Sequence, residues 1–305
     1  MYLGIDTSNY TSSVAVFDGE SVTQYKQLLS VKQGEKGLRQ SDAVFQHTVN
    51  MPLLLDKIDL SSVKAIGVST KPRNIEDSYM PCFLVGKALA ETAANASGAR
   101  LYGTSHQIGH ILAALYSADR LDLINQPLIA FHLSGGTTEA LLVTPNNDSI
   151  INCEIAASSS DLKAGQAIDR AGVMLGIPFP CGKALDLLSQ NSTAEYKYKP
   201  SMKGLNCSLS GIENKTKEMI DKGESAENIA KFVFTCISKS VLSMLDGIVE
   251  MYGELPVIFS GGVSSNTMLR KEVKKKYNAY FAEPEFSLDN AAGCAVYAYL
   301  KEKGL

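Results

Sequence analysis

Two histidines stand four residues apart in the run His106-Gln107-Ile108-Gly109-His110, at the start of a predicted helix. That spacing puts both imidazoles on one side of a helix, which is a metal-ligand arrangement. A zinc peptidase with this spacing needs glutamate after the first histidine as general base; here the residue is Gln107, which cannot take a proton. The pair therefore reads either as a metal site without peptidase chemistry or as the polar opening of a helix. A third ligand has to come from elsewhere. Asp289, just before the last predicted helix, is one candidate and equally suits a helix N-cap. Two histidines and one carboxylate form a set used by both iron and zinc.

A second group of residues is suited to phosphate. Ser134-Gly135-Gly136 and Ser260-Gly261-Gly262 each follow a short apolar run and open into Thr, Ser or Asn. A strand ending in Ser-Gly-Gly can bend tightly and aim several N–H groups at one point, a nest for an anion; the same string also makes ordinary turns. A third polar turn, Asp6-Thr7-Ser8-Asn9, separates two predicted strands near the start of the chain. Three such turns suggest a nucleotide clamped between two lobes. Asp161, Asp169 and Asp186 flank the Pro180-Cys181-Gly182 turn, where a carboxylate suits ribose hydroxyls and Gly182 admits close backbone approach.

The elements that must position these residues alternate between strand and helix patterns. Strands are predicted at 2–5, 13–17, 63–69, 128–133, 138–143, 149–155, 256–260 and 279–282. A polar loop is expected over 33–40. A helix capped by Ser41 should turn Val44, Phe45, Thr48, Met51, Leu54, Leu55 and Ile58 inward, with His47 near that face. Further helices are expected from Pro81 to Asn95, from a Ser105 cap to about Tyr116, over 163–175, over 226–251 behind a Ser225 cap, from about 264, and from 289. Asn125-Gln126-Pro127 marks the expected lobe boundary, giving lobes 1–125 and 126–305, joined near 117–128, with the last helix packing back toward the first. The class is α/β, with mixed sheets flanked by helices.

At 305 residues the chain exceeds one typical core. A net charge of −3 argues against a general nucleic-acid coat, leaving Arg270, Lys271, Lys274, Lys275 and Lys276 as either a local RNA-facing patch or a solvated helix face. None of the six cysteines forms a C-x-x-C pair, which fits a reduced, cytoplasmic protein. Asp6 interrupts the opening strand, against a signal peptide, and no apolar run is expected to span a membrane.

Taken in order, these motifs resemble the TsaD family, which makes the threonylcarbamoyladenosine of tRNA and was once described as O-sialoglycoprotein endopeptidase. The resemblance rests on GIDTS near the start, HQIGH at 106–110, LSGG at 133–136, AGQAIDRAGVMLGIPFPCG at 164–182, SLSG at 208–211, SGGVSSNTMLR at 260–270 and LDNAAGCAVYAYL at 288–300. It implies a two-lobed actin-like ATPase fold of the hexokinase and acetate kinase type. By the same resemblance His106, His110 and Asp289 match the ligands of one divalent metal, Fe2+ or Zn2+. His132, Leu133, Ser134, Gly135 and Gly136 match the acyl-adenylate loop, and Asp169, Gly182, Asp186 and Asn266 the surroundings of the adenosine. It further implies an adenine nucleotide or threonylcarbamoyl-adenylate, with Mg2+ as a companion ion, tRNA as substrate, and a TsaB-like scaffold, a TsaE-like ATPase or a second copy as partner. No catalytic acid or base is assigned. Four departures stand out: Asn9-Tyr10-Thr11 replaces acidic residues, Thr137 replaces a histidine, residues 71–77 replace a Gly- and Pro-rich segment, and Glu213 replaces a lysine. They keep two other classes open, a non-catalytic nucleotide-binding scaffold and a small-molecule kinase of the same fold.

Overall fold

The computed structural model describes residues 1–8, 10–31, 38–288 and 291–305. In chain order the elements begin β1 (Tyr2–Asp6), β2 (Thr11–Phe17), β3 (Val22–Leu28), α1 (Gln40–Leu55), β4 (Ala65–Lys71), α2 (Phe83–Ser97), β5 (Arg100–Ser105) and α3 (His106–Ser117). They continue β6 (Leu128–Leu133), β7 (Thr138–Asn146), β8 (Ile150–Ser158), α4 (Ala164–Met174), α5 (Gly182–Gln190), β9 (Ser201–Lys203), β10 (Asn206–Ser208) and α6 (Ser210–Asp221). The remainder are α7 (Ala226–Tyr252), β11 (Val257–Ser260), α8 (Thr267–Lys276), β12 (Ala279–Phe281) and α9 (Ala292–Glu302). Two compact units result. The first holds Met1–Gln126, Thr144–Cys153 and Glu285–Leu305, the second Pro127–Val143 and Glu154–Pro284.

The sheet of the first unit runs β3-β2-β1-β4-β5. Alternation along its central strands sorts two kinds of residue. Leu3, Ile5, Ile66 and Val68 are buried in the core that also takes Met51 and Leu54 of α1 and Ala90, Ala93 and Ala94 of α2. Gly4 and Gly67 face α9 instead, and only hydrogen fits there: a Cβ on Gly4 would stand 2.2 Å from the Ala291 carbonyl oxygen, and one on Gly67 2.0 Å from that of Cys294. The contact between α9 and α3 is made the same way, since a Cβ on Gly293 would lie 1.8 Å from the Gly109 carbonyl oxygen.

The expected inner face of α1 is corrected. Ala43, His47, Asn50, Met51 and Leu54 are buried, while Phe45, Val49 and Leu53 are 69%, 51% and 60% exposed. The cause is polar. His47 Nδ1 hydrogen-bonds Ser12 Oγ of β2 at 2.8 Å and Asn50 Nδ2 donates to the same oxygen at 3.3 Å, so the helix is rotated to satisfy buried polar groups. Residues 33–37 of the expected loop lie outside the described residues.

The second unit's sheet runs β12-β11-β6-β7-β8. Phe131, Phe259 and Phe281, on adjacent parallel strands, stack at 4.8 Å between neighbouring rings. Ser225 caps α7 by accepting from the Asn228 amide, as expected. At 27 residues and a mean hydropathy of 1.6, α7 is long and apolar enough to cross a membrane, contrary to the reading of the sequence. Its Ile229, Val233, Ile237, Val241, Met244 and Ile248 instead form much of this unit's core. Strands β3 and β5, helices α5 and α6 and the β9–β10 hairpin were not anticipated, being short, polar or lacking clear periodicity.

The glycine contacts make a direct prediction. Gly293→Ala should destabilise the protein by about 3 kcal/mol in urea or thermal unfolding, because backbone must move to admit one methyl group. Gly135→Ala, where a Cβ meets nothing within 4 Å, should stay within about 1 kcal/mol.

Candidate functional site

The helix that carries the histidine pair starts where β5 ends. Ser105 caps α3 by accepting from the Ile108 amide at 3.2 Å, as its sequence predicts. One turn of helix then brings the rings of His106 and His110 to 4.2 Å between centroids, at 72°. His106 is further fixed from β1. Its Nδ1 lies 3.0 Å from Asp6 Oδ2, and its Nε2 lies 3.4 Å from Ser8 Oγ. Asp6 is 1% exposed and accepts from the Ser8 amide at 3.2 Å, the Ser8 hydroxyl at 2.9 Å and the Ser69 hydroxyl. A buried carboxylate with this many partners is fixed in place and sets the orientation of the imidazole. Asp6 was read in the sequence as part of a polar turn and not as the partner of His106. Its place at the end of a strand, before two hydroxyl residues, was the only local signal.

The two imidazoles stand edge to face, one of them hydrogen-bonded to a buried carboxylate. Among the described residues no group of three His, Cys, Asp or Glu could hold an ion. Asp289 lies outside the described residues. The chain resumes with Ala291, whose amide donates to Ser13 Oγ at 2.9 Å, and Gly293 then rests on the Gly109 backbone within α3.

In the second unit the two Ser-Gly-Gly turns leave the same end of the sheet, because β6 and β11 are parallel neighbours with His132 opposite Ser260. His132 Nδ1 hydrogen-bonds Ser260 Oγ at 3.0 Å. Gly261 has φ 88°, and a Cβ there would stand 2.2 Å from the Leu133 carbonyl oxygen, so this turn demands glycine. The first turn is closed on itself. Ser134 Oγ accepts from the amides of Gly136 at 3.3 Å and Thr137 at 3.1 Å. Helix α4 seats against it through Gly165, whose amide donates to the Ser134 carbonyl at 3.1 Å. A Cβ on Gly165 would lie 2.6 Å from the Gly135 nitrogen.

The three aspartates expected near the nucleotide are each committed within this unit. Asp169 accepts from the Cys181 amide at 2.9 Å, holding the turn before Gly182 and α5. Burial, with the Asp169 carboxylate second, raises the Cys181 thiol above its ordinary range, so it stays protonated. Asp186 accepts from Asn266 Nδ2 at 2.6 Å and Thr267 Oγ1 at 3.0 Å, joining α5 to the start of α8, where Asn266 itself caps the helix on the Leu269 amide. Asp161 takes hydrogen bonds from Ser208 Oγ at 2.6 Å and from the amides of Leu209 and Leu162 at 2.8 and 2.6 Å. Desolvation opposes its charge, but those bonds prevail and hold the carboxyl well below the usual carboxylate range.

The departures also have places. Tyr10 is 44% exposed and Thr11 is buried at the start of β2; Asn9 lies outside the described residues. Glu213, in the first turn of α6, pairs with Arg170 of α4 at 2.5 Å. The basic run on α8 is partly neutralised. Lys275 pairs with Glu272 and Lys276 with Asp246, while Arg270 donates to the Ser264 and Ala282 carbonyls and lies over the Phe281 ring.

Comparison with known proteins bears on both units. Solved structures with the same fold include the hydroxyglutaryl-CoA dehydratase component A of Acidaminococcus fermentans, at TM-score 0.58 and 17% identity over 99% of this chain and 98% of that one. A ROK-family protein of Streptococcus pneumoniae follows at TM-score 0.59 and 10% identity, covering all of both chains. HypF of T. kodakarensis gives TM-score 0.60 and 15% identity over all of this chain and 48% of its own. These likenesses establish the actin-like ATPase and kinase fold expected from the sequence. Among curated proteins, the tRNA N6-adenosine threonylcarbamoyltransferases of Kosmotoga olearia and Thermosipho africanus are each 28% identical, over 99% of this chain and 93% and 95% of theirs. The family model for TsaD, tRNA N6-adenosine threonylcarbamoyltransferase, matches residues 42–296. The order of motifs from HQIGH to the last helix thus has one source: the chain belongs to the TsaD family of tRNA-modifying transferases.

Proposed function

We propose that this chain transfers a threonylcarbamoyl group from its adenylate to N6 of an adenosine beside the tRNA anticodon. In that step N6 attacks the carbamoyl carbon, the bond from that carbon to the phosphate oxygen breaks, AMP leaves, and N6 gives up one proton. The observation that carries the reading is the retained histidine pair at the head of α3, with Asp6 on the Nδ1 of His106. His106, His110 and Asp289 would hold one Fe2+ or Zn2+. Support for Asp289 comes from the entry of α9, where Gly293 rests on Gly109 inside the His-x-x-x-His turn. When bound, such an ion supplies Lewis-acid polarisation of a carbonyl oxygen. With its proton on Nδ1 toward Asp6, His106 would present Nε2 as the ligating atom.

The adenine nucleotide or acyl-adenylate, with Mg2+ as its companion, is placed in this reading against the Ser134 loop, Asp169, Gly182, Asp186 and Asn266. The convergence of both Ser-Gly-Gly turns at the carboxyl ends of parallel strands supports it, since phosphates favour such strand ends and their backbone amides. The hydroxyl of Ser134, which now accepts from two loop amides, would exchange those partners with a phosphate oxygen. A second reading, a nucleotide-binding scaffold, is favoured by one observation: Glu213 neutralises Arg170 where the family carries lysine. A TsaB-like subunit is the protein partner proposed, with a TsaE-like ATPase or a second copy as the other candidates. The exposed apolar stripe Phe45, Val49 and Leu53, at four-residue spacing on α1, supports a protein contact there. A cytoplasmic location follows from a tRNA substrate.

Three outcomes test these readings. Asp6→Asn should weaken metal affinity about 10- to 100-fold in chelator competition, and His106→Ala should abolish stoichiometric metal on elemental analysis. Unchanged affinity in both would remove the pair from metal binding. Incubation with tRNA, threonine, bicarbonate, ATP and the adenylate-forming enzyme, followed by nucleoside mass spectrometry, should show threonylcarbamoyladenosine. Combining Tyr10→Asp, Thr11→Glu and Glu213→Lys should raise that yield, by up to about 10²-fold for a restored acid or base. No product from either protein, with metal and nucleotide bound, would favour the scaffold. Phe45→Glu with Leu53→Glu should leave the fold intact and abolish co-purification with a TsaB-like subunit.

A further inference from the structure

The first unit contains a cavity of about 250 Å³ at the ends of β4 and β5, with no carboxylate among its lining residues. Its one cation is Lys71, and Asn74, Thr104 and Tyr297 add polar groups. Thr104 is 5% exposed and its hydroxyl has no hydrogen-bond partner among the described residues. A buried hydroxyl left unmatched is costly.

The local backbone explains why these groups meet. Strands β4 and β5 pair in parallel up to Ser69 opposite Thr104, then shift register so that Lys71 stands opposite Ser105. Such a bulge re-aims the side chains that follow it. Thr70 fills the extra position, and its hydroxyl donates to the Thr104 carbonyl at 3.2 Å, leaving the Thr104 side chain uncommitted. Lys71 and Asn74 come from residues 71–77, the segment that replaces the family's Gly- and Pro-rich run. Neither makes a side-chain hydrogen bond or ion pair among the described residues, nor does the Tyr297 hydroxyl. Burial, followed by Cys294 and Asp148, raises the Tyr297 phenol, so it remains a donor.

From this geometry we infer that the cavity is a binding site for a small oxyanion, the phosphoryl or carboxylate end of a metabolite, held by Lys71, Asn74 and the Thr104 hydroxyl. Lys71 supplies the charge and Thr104 and Asn74 the directed donors. Ser105 and Ile108 at the head of α3 also line the cavity, but neither histidine does, and the inference does not rest on the transferase reading.

Amide chemical shifts of Gly103 and Thr104 in the full-length protein, titrated separately with inorganic phosphate and with acetate, test the inference. One or both probes should shift these amides saturably, with half-saturation near or below about 1 mM, and the tighter arm identifies the source. Lys71→Met should raise the half-saturation at least about 10-fold and the near-isosteric Thr104→Val about 5-fold. His106→Ala should leave it unchanged. Either variant suffices if the other fails to fold. Absence of a saturable shift with both probes up to about 20 mM, or insensitivity to the substitutions, overturns the inference.

Discussion

The close approach of α9 to both the first sheet and α3 is the constraint on which the first unit depends. Three glycines, at positions 4, 67 and 293, stand where any Cβ would overlap a carbonyl oxygen. Backbone-to-backbone contact at that range leaves no slack, so α9 fixes α3, and α3 fixes the histidine pair. Ala291, Cys294, Ala295 and Ala298 keep the adjoining surface small and fully buried. The rigidity matters for chemistry because a metal or reacting carbonyl tolerates little error in the placement of its partners.

The second unit uses the same device at its turns. Gly165 brings α4 onto the Ser134 loop and Gly261 brings the second turn onto Leu133. The stacked phenylalanines behind them anchor the strands whose ends carry both turns; losing one such buried ring typically costs about 3–5 kcal/mol. The aspartates then tie the loops together. Asp161 gathers the chain around β10 and α6, Asp169 the turn before α5, and Asp186 the start of α8. Hydrogen bonds to ionised groups are stronger than those between neutral ones, which suits carboxylates to holding irregular chain in place.

Two of the departures from the family pattern have clear places in the fold. Glu213 finds Arg170, and Thr11 is buried at the start of β2. Lys71 and Asn74 give the end of β4 a polar cavity.

Much of this was legible in the sequence because it is local. The Ser105 and Ser225 caps, the helix end at Gly98 and the Ser-Gly-Gly turns are written in a few adjacent residues, and the helix bounds follow from them. The order of motifs likewise identified the family. The role of Asp6 was not legible, since its partner stands 100 residues away and nothing local marks one buried aspartate as the anchor of a distant imidazole. Nor was the rotation of α1, where apolar periodicity pointed Phe45 inward and the buried His47–Ser12–Asn50 cluster turned it out. Short-range propensity and periodicity are properties of the chain by itself. Which glycine meets which carbonyl, and which carboxylate meets which histidine, is decided only when strands far apart in sequence share one sheet.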